Sequence, residues 1–180
     1  MRLLPAALHR TYRWRNGLGS ALEIAVSPTA GEWSLSIATV DADVAFSSFP
    51  GVDRTLMALS DHGLGLRIDD RSTHLEQFEV VAFAGEQNVA SAGVTAPTLD
   101  LNLMVARGQA TGSLTTVRVE GTRTIDIEAD IAFVVAIDWE GPTLDRFDTL
   151  VLARGDSATL VGDGTVAIAF IDLGKARREP

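Results

Sequence analysis

Short alternations of apolar and polar residues, each cut off by turn formers, constrain this chain more than any other feature. Leu64, Leu66 and Ile68 alternate with Gly65, Arg67 and Asp69; Val117 and Val119 alternate with Arg118 and Glu120; Ile125 and Ile127 alternate with Thr124, Asp126 and Glu128. A period of two places each apolar set on one face of a strand. The interruptions are Ser27-Pro28-Thr29-Ala30-Gly31, Gly121, Gly141-Pro142 and Gly162-Asp163-Gly164, all of them sequences that favour turns. Thr159 to Ile171 reads as a hairpin folded at Gly162-Asp163-Gly164. No window carries a capped amphipathic helix longer than two turns. The expectation is an all-β chain, a sandwich or barrel of many short strands.

A weak internal repeat refines this. Phe78-Glu79-Val80-Val81-Ala82-Phe83-Ala84-Gly85-Glu86 resembles Phe147-Asp148-Thr149-Leu150-Val151-Leu152-Ala153-Arg154-Gly155-Asp156. Each segment runs aromatic, acid, apolar strand, glycine, acid. Such an order suits a small jelly-roll barrel of the cupin type, and two copies imply two barrels. The seam falls between Ala106 and Ser113, where glycines and small polar residues interrupt the pattern. The expected domains are 1–106, a barrel with the ligand pocket, and 107–180, a second barrel. The N-terminal strand is expected to exchange between them, because exchanged strands protect sheet edges.

Composition excludes several functions. The net charge is −9, which argues against nucleic acid, whose binding rests on basic contacts to phosphate, and against anionic membrane surfaces. The longest apolar run, Ile131 to Ile137, is seven residues, far short of the ~20 a membrane helix needs. The Met1–Leu8 stretch is too short for a secretory core and is ended by His9 and Arg10, so the expected location is the cytoplasm. There is no cysteine, so thiolate chemistry and iron–sulfur clusters are out. The three histidines, His9, His62 and His74, lack His-x-His or His-x-x-x-His spacing, and the latter two read as exposed loop residues. No metal and no cofactor is expected. A Gly-x-Ser-x-Gly elbow is also missing, and Gly17-Leu18-Gly19 is too short for a dinucleotide fingerprint.

Three segments place polar residues within apolar, turn-rich surroundings. Trp14-Arg15-Asn16-Gly17-Leu18-Gly19-Ser20 joins an aromatic, an amide and glycines that let backbone approach closely. Phe46-Ser47-Ser48-Phe49-Pro50-Gly51-Val52-Asp53-Arg54 has a Pro-Gly turn, two aromatics and an acid–base pair; taken alone it also reads as a turn with a surface salt bridge. Asp100-Leu101-Asn102-Leu103-Met104 sets Asp100, Asn102 and Met104 against an apolar face, facing a lumen or solvent.

Together these segments resemble the HutD/Ves family. The family pattern Trp-Lys-Asn-Gly-Gly-Gly-x-Thr-x-Glu-Ile appears here as Trp14 to Ile24. It is followed by Trp33-Ser34-Leu35-Ser36-Ile37-Ala38, then Phe46 to Arg54, Phe83-Ala84-Gly85-Glu86 and Asp100 to Met104. Order and spacing hold from about Tyr12 to Arg107. Two departures stand out: Arg15 replaces the family lysine, and Leu18 replaces the middle glycine. The resemblance implies a bicupin, two jelly-roll barrels in one chain, with a pocket in the first. It also implies a small acidic ligand such as N-formylglutamate or urocanate, bound by a protein that tempers histidine utilisation. A homodimer remains open.

Two function classes follow, with binding favoured over catalysis. In the first the pocket binds an acidic metabolite. Arg54 is its anchor, because a chain of charge −9 needs a local cation and the guanidinium fork fits a carboxylate. Asn102 offers an amide, and Trp14 and Phe49 offer apolar walls. Asn16, Gly17, Gly19, Glu23, Ser36 and Met104 complete the expected lining. In the second, a metal-independent isomerase or lyase, Glu23 is the candidate base; its bland reading is a salt bridge to a neighbouring arginine. A scaffold with a vestigial pocket is the third reading.

Overall fold

The computed structural model describes residues 1–174. In chain order the strands are β1 (Arg2–Leu4), β2 (Arg10–Arg13), β3 (Ser20–Val26), β4 (Trp33–Val40), β5 (Val52–Ala58), β6 (Leu64–Ile68), β7 (Arg71–Leu75), β8 (Val80–Ala84), β9 (Val89–Ser91), β10 (Thr98–Ala106), β11 (Ala110–Asp126), β12 (Ile131–Glu140), β13 (Thr149–Ala153) and β14 (Ser157–Leu173). One 3-10 turn, Ala6–Leu8, follows β1. The described residues contain no α-helix and no helix able to cross a membrane. The chain divides into two compact units, Arg10–Gly108 and Met1–His9 with the residues from Gln109 onward.

The Arg10–Gly108 unit has a six-stranded antiparallel sheet, ordered β2-β3-β4-β10-β5-β8, and a three-stranded sheet, β7-β6-β9. Register decides which residues share a face. Met104 lies opposite Ser34 and Arg54; Asn102 lies opposite Ser36 and Leu56; Asp100 lies opposite Ala38 and Ala58. The rows continue through Ser36 to Glu23 and through Ala38 to Ala21, whose partner on β2 is Tyr12. Leu56, Ala58 and Val40 pack with Leu64, Leu66 and Leu75 of the small sheet, and with Phe83 and Val89. Residues of the other parity, Leu35, Ile37, Met57, Leu101 and Leu103, are buried as well. Both faces of its central strands are buried, so Asp100 and Asn102, 1% and 5% exposed, do not lie on a solvent-facing side of the sheet.

The other unit has one five-stranded sheet, ordered β1-β13-β12-β14-β11. Here β1 pairs with β13, Leu3 opposite Leu150. Val134, Ala136, Leu152, Leu160, Val166 and Ile168 are among its core residues.

Two closed barrels were the sequence expectation, but no sheet closes among the described residues. Each ladder stops at coil. The segments 41–51 and 76–79 run as turns and irregular chain, and a single bridge, Ala45 to Ala90, joins the first to the small sheet. The expected hairpin at Gly162-Asp163-Gly164 is also absent: β14 runs straight through it. Gly162 and Gly164 adopt φ of 148° and 139°, and β12 pairs alongside them, Trp139 opposite Gly164 and Glu140 opposite Asp163, just after a register shift. A Cβ on Gly164 would overlap Asp138 O, and one on Gly162 would lie 2.6 Å from Glu140 O. These glycines serve close strand approach, not a turn.

The internal repeat recurs in the hydrogen bonding. Phe78 and Phe147 both have positive φ, 68° and 69°, uncommon for bulky residues. Phe78 N–H donates to Ala58 O as Phe147 N–H donates to Ala136 O, and Ala58 N–H and Ala136 N–H donate back to Glu79 O and Asp148 O. Downstream, Ala84 N–H donates to the Gln87 side chain and Ala153 N–H to the Asp156 carboxylate.

Candidate functional site

A cavity of about 250 Å³ opens on the six-stranded sheet. Its floor is set by strand parity: Ala21 and Glu23 from β3, Ser34, Ser36 and Ala38 from β4, Asn102 and Met104 from β10, and Arg54 from β5. Tyr12 and Trp14 close one side, and the 44–49 segment supplies Phe46, Ser47 and Phe49. That segment is tied down along its length. Phe46 N–H donates to Val89 O (2.8 Å), Phe49 N–H to Gly85 O (2.8 Å), and Val52 N–H to Phe49 O (3.2 Å). The last bond spans Pro50-Gly51, with Gly51 at φ 78°, as a type II turn requires. Gly85 is obligatory for the approach: a Cβ there would overlap Phe49 O and lie 2.9 Å from Val52 O.

Arg54 is the central feature. It is only 4% exposed. Its guanidinium carbon lies 4.9 Å from the Phe83 ring centroid, 5.5 Å from Phe46 and 5.8 Å from Phe49. Cation–π contacts of this kind are worth ~0.5–2 kcal/mol each, most when desolvated. Nη1 donates a long bond, 3.4 Å, to Ser47 O, while Nε has no partner. Burial lowers the Arg54 pKa from its usual value, opposed by the charges of Asp100 and Tyr12. Asp100, 1% exposed, has no hydrogen-bond partner on either carboxylate oxygen. Burial pushes its pKa up to about 7 against the opposing pull of Arg54. Asn102 Oδ1 and Ser47 Oγ are likewise buried and unpartnered. Buried polar atoms are almost always hydrogen-bonded; here Arg54, Ser47 and Asn102 line one cavity, and Asp100 lies on the same face of the sheet as Asn102.

Of the residues read from the sequence, Trp14, Glu23, Ser36, Phe49, Arg54, Asn102 and Met104 line this cavity. Asn16, Gly17 and Gly19 do not. The Asn16 amide donates to Ala45 O (2.7 Å) and its Oδ1 accepts from Leu18 N–H (3.0 Å), so it holds a turn. A Cβ on Gly19 would sit 2.8 Å from the Trp14 ring, so this glycine seats the indole. Gly17, Leu18 and Gly19 border a second groove of about 450 Å³ with Arg13, Thr39 and Asp41. Glu23 lies 3.8 Å from Arg10, the salt bridge of its bland reading. Asp53 does not pair with Arg54 but with Arg107, at 2.8 Å. His62 is exposed beside Asp61 (3.1 Å); His74 lies on β7, not in a loop, and remains exposed.

Tyr12, Arg15, Ala21, Ser34, Ala38, Phe46 and Ser47 also line the cavity without being among the expected site residues, and Asp100 lies on the same face of the sheet. Asp100 carried a signal, because it shares parity with Asn102 and Met104. Phe46 and Ser47 lie inside a segment already singled out. Arg15, the departure from the family lysine, places its guanidinium 5.4 Å from the Phe49 centroid.

The HutD family model matches residues 6–170. Protein Ves of Escherichia fergusonii is 35% identical over 51% of the chain and 50% of its own length. Protein Ves of Citrobacter koseri is 30% identical over 71% and 69%. An uncharacterized 21.2 kDa protein from the hutC 3′ region of Pseudomonas putida is 32% identical over 59% and 58%. These alignments thus span from half to about two thirds of the relatives. Among solved structures, a conserved protein of unknown function from Pseudomonas aeruginosa has TM-score 0.83 and 28% identity, covering 96% of this chain and 98% of its own. HutD from Pseudomonas fluorescens has TM-score 0.79 at 24% identity, with the same coverage. A cupin barrel protein from Leptotrichia buccalis, TM-score 0.55 at 10% identity over 85% and 88%, shares the fold alone. With a family model matched across nearly the whole chain, this all-β, cupin-like protein belongs to the HutD family.

Proposed function

We propose that the Arg10–Gly108 unit binds a small carboxylate-bearing metabolite without transforming it, with Arg54 as the anchor. One observation carries the reading: a buried guanidinium, unpartnered at Nε and ringed by three phenylalanines, faces a cavity. Its fork matches a carboxylate, and charge-assisted bonds of this type are about twice as strong as neutral ones. Asn102 Oδ1 then receives an N–H or O–H from the ligand, while Trp14, Phe49 and Met104 cover its apolar part. The volume of about 250 Å³ lies just under the ~300–1,000 Å³ of sites for drug-sized ligands, which suits a small metabolite. N-formylglutamate and urocanate are the first candidates. The names of the relatives, HutD and a hutC-region protein, support a role in tempering histidine utilisation in the cytoplasm. The repeated hydrogen bonding at Phe78 and Phe147 supports a duplicated, bicupin origin for the two units.

A thermal-shift panel of small acids, followed by calorimetry, tests this. Arg54→Lys should keep a near-normal melting temperature and lose ~10-fold or more in affinity, because lysine keeps the charge but not the fork. Binding as tight as wild type by both Arg54→Lys and Arg54→Ala, or failure of both to fold, overturns the anchor. Glu23 on the cavity wall favours the isomerase or lyase as a second reading; NMR of each bound acid over time would reveal turnover.

A further inference from the structure

Asp100 is the buried titratable group that the binding reading leaves unused. Its carboxylate oxygens accept no hydrogen bond from the protein. Its neighbours across the sheet are Ala38 and Ala58, which offer nothing polar. Arg54 is the one charge acting on it among the described residues. On the same face, β3 brings Glu23 and β2 brings the Tyr12 phenol. Arg15 reaches Phe49 from the turn after Trp14. The 44–49 segment brings Phe46, Ser47 and Phe49, and the small sheet brings Leu64, Leu66 and Leu75, none of them titratable. Asp100 and Arg54 therefore form an isolated pair, coupled through space without a direct bond, with only Arg54 lining the cavity.

We propose that Asp100 is the exchangeable counter-charge of Arg54: when a carboxylate docks on the guanidinium, Asp100 takes up a proton from solvent, so the site binds its anion together with H⁺. The inference rests on the reading of Arg54 as a carboxylate anchor. The charge balance is simple. In the unliganded protein ionised Asp100 offsets Arg54. A docked carboxylate assumes that task at bonding distance, and a second buried anion then loses its only compensation. Protonating Asp100 restores a net of one cation and one anion. Burial already places Asp100 near neutrality, at about 7, so a change in Arg54's charge is read out as proton uptake within the physiological range. By linkage, affinity for the anion is flat below that midpoint and falls about tenfold per pH unit above it, up to the higher midpoint of the complex. Asp100 acts through Arg54 and is a positioning residue.

Carbon-13 NMR of protein labelled at the aspartate carboxyls tests this, with sodium acetate as the probe and the Trp14 indole N–H as the reporter of cavity binding. One carboxyl should titrate near neutrality and disappear in Asp100→Asn. Saturating acetate should raise its midpoint by about one pH unit or more. Acetate binding by Asp100→Asn should show little pH dependence between about pH 6 and 9. If that variant fails to fold, wild-type calorimetry in phosphate and Tris buffers decides: a fractional proton taken up near neutrality supports the coupling, and none overturns it. A Trp14 shift with an unmoved Asp100 midpoint overturns the coupling while leaving the anchor standing. No Trp14 shift with acetate, propionate or succinate overturns the carboxylate site, and the coupling with it.

Discussion

Gly85→Ala should deform the cavity beside Arg54 without altering any residue that lines it. The new Cβ would overlap Phe49 O and sit 2.9 Å from Val52 O and 3.2 Å from Phe49 C. All three are backbone atoms, so no side-chain rotation relieves the contact. Two hydrogen bonds hold the same place: Phe49 N–H to Gly85 O at 2.8 Å and Gly85 N–H to Val52 O at 2.7 Å. Overpacking of this kind costs about 1–3 kcal/mol, and straining two bonds adds about 0.5–1.5 kcal/mol each at most. A net loss of up to ~2–6 kcal/mol lowers Tm by about 4–24 °C in a chain of this size. The displaced segment carries Phe46, Ser47 and Phe49, so affinity for a bound carboxylate should fall ~10-fold or more. Gly51→Ala is the control. It has φ 78° but open space around it, so it costs only about 1 kcal/mol of backbone strain. Differential scanning calorimetry and titration of both variants give the comparison. Gly85→Ala with wild-type Tm and affinity, or no worse than Gly51→Ala, would refute the claim that this glycine seats the cavity wall.

Further outcomes follow from the same structure. The Asp100 pKa rises from the usual 3.8 to about 7 on folding, so its stabilising contribution is full below pH ~4 and lost as pH climbs through ~7. Urea unfolding of the unliganded protein should therefore show wild type weakening relative to Asp100→Asn between acid and pH 8, by on the order of 4 kcal/mol at most; parallel pH profiles contradict this. Leu56→Ala, at a fully buried site between the two sheets, should lose about 2–5 kcal/mol in the same assay. Gly164→Ala should abolish soluble expression or cost more than Gly155→Ala, because its Cβ meets the Asp138 carbonyl while Gly155 faces open space; equal stability of the two variants would show that β12 can move aside.

The strand content was legible because alternation needs no tertiary context: β6 runs from Leu64 to Ile68 as its pattern implies. What failed was the meaning of particular glycines. Gly162 and Gly164 look like a turn in one dimension, yet they let β12 pair tightly against β14 next to its register shift, a contact between residues far apart in sequence. The face of β10 could not be settled either. Polar residues opposite leucines fit solvent as well as a cavity, and only the second buried face of the sheet removes the ambiguity. Arg54 sat in a motif that also reads as a surface ion pair; the pairing of Asp53 with Arg107, from the end of β10, is what separates the two residues. Asp100 was placed on the polar face of its strand but not among the expected site residues, because its significance lies in what surrounds it: two alanines across the sheet and the charge of Arg54.

The central claim is that Arg54 receives a carboxylate in the cavity. A crystal structure with saturating N-formylglutamate, or with the tightest acid from the panel, tests it most directly. The account predicts two carboxylate oxygens about 2.7–2.9 Å from Arg54, one of them on Nε, with the remainder of the ligand between Trp14, Phe49 and Asn102. An acid bound elsewhere, with Arg54 Nε still unpartnered, would contradict it.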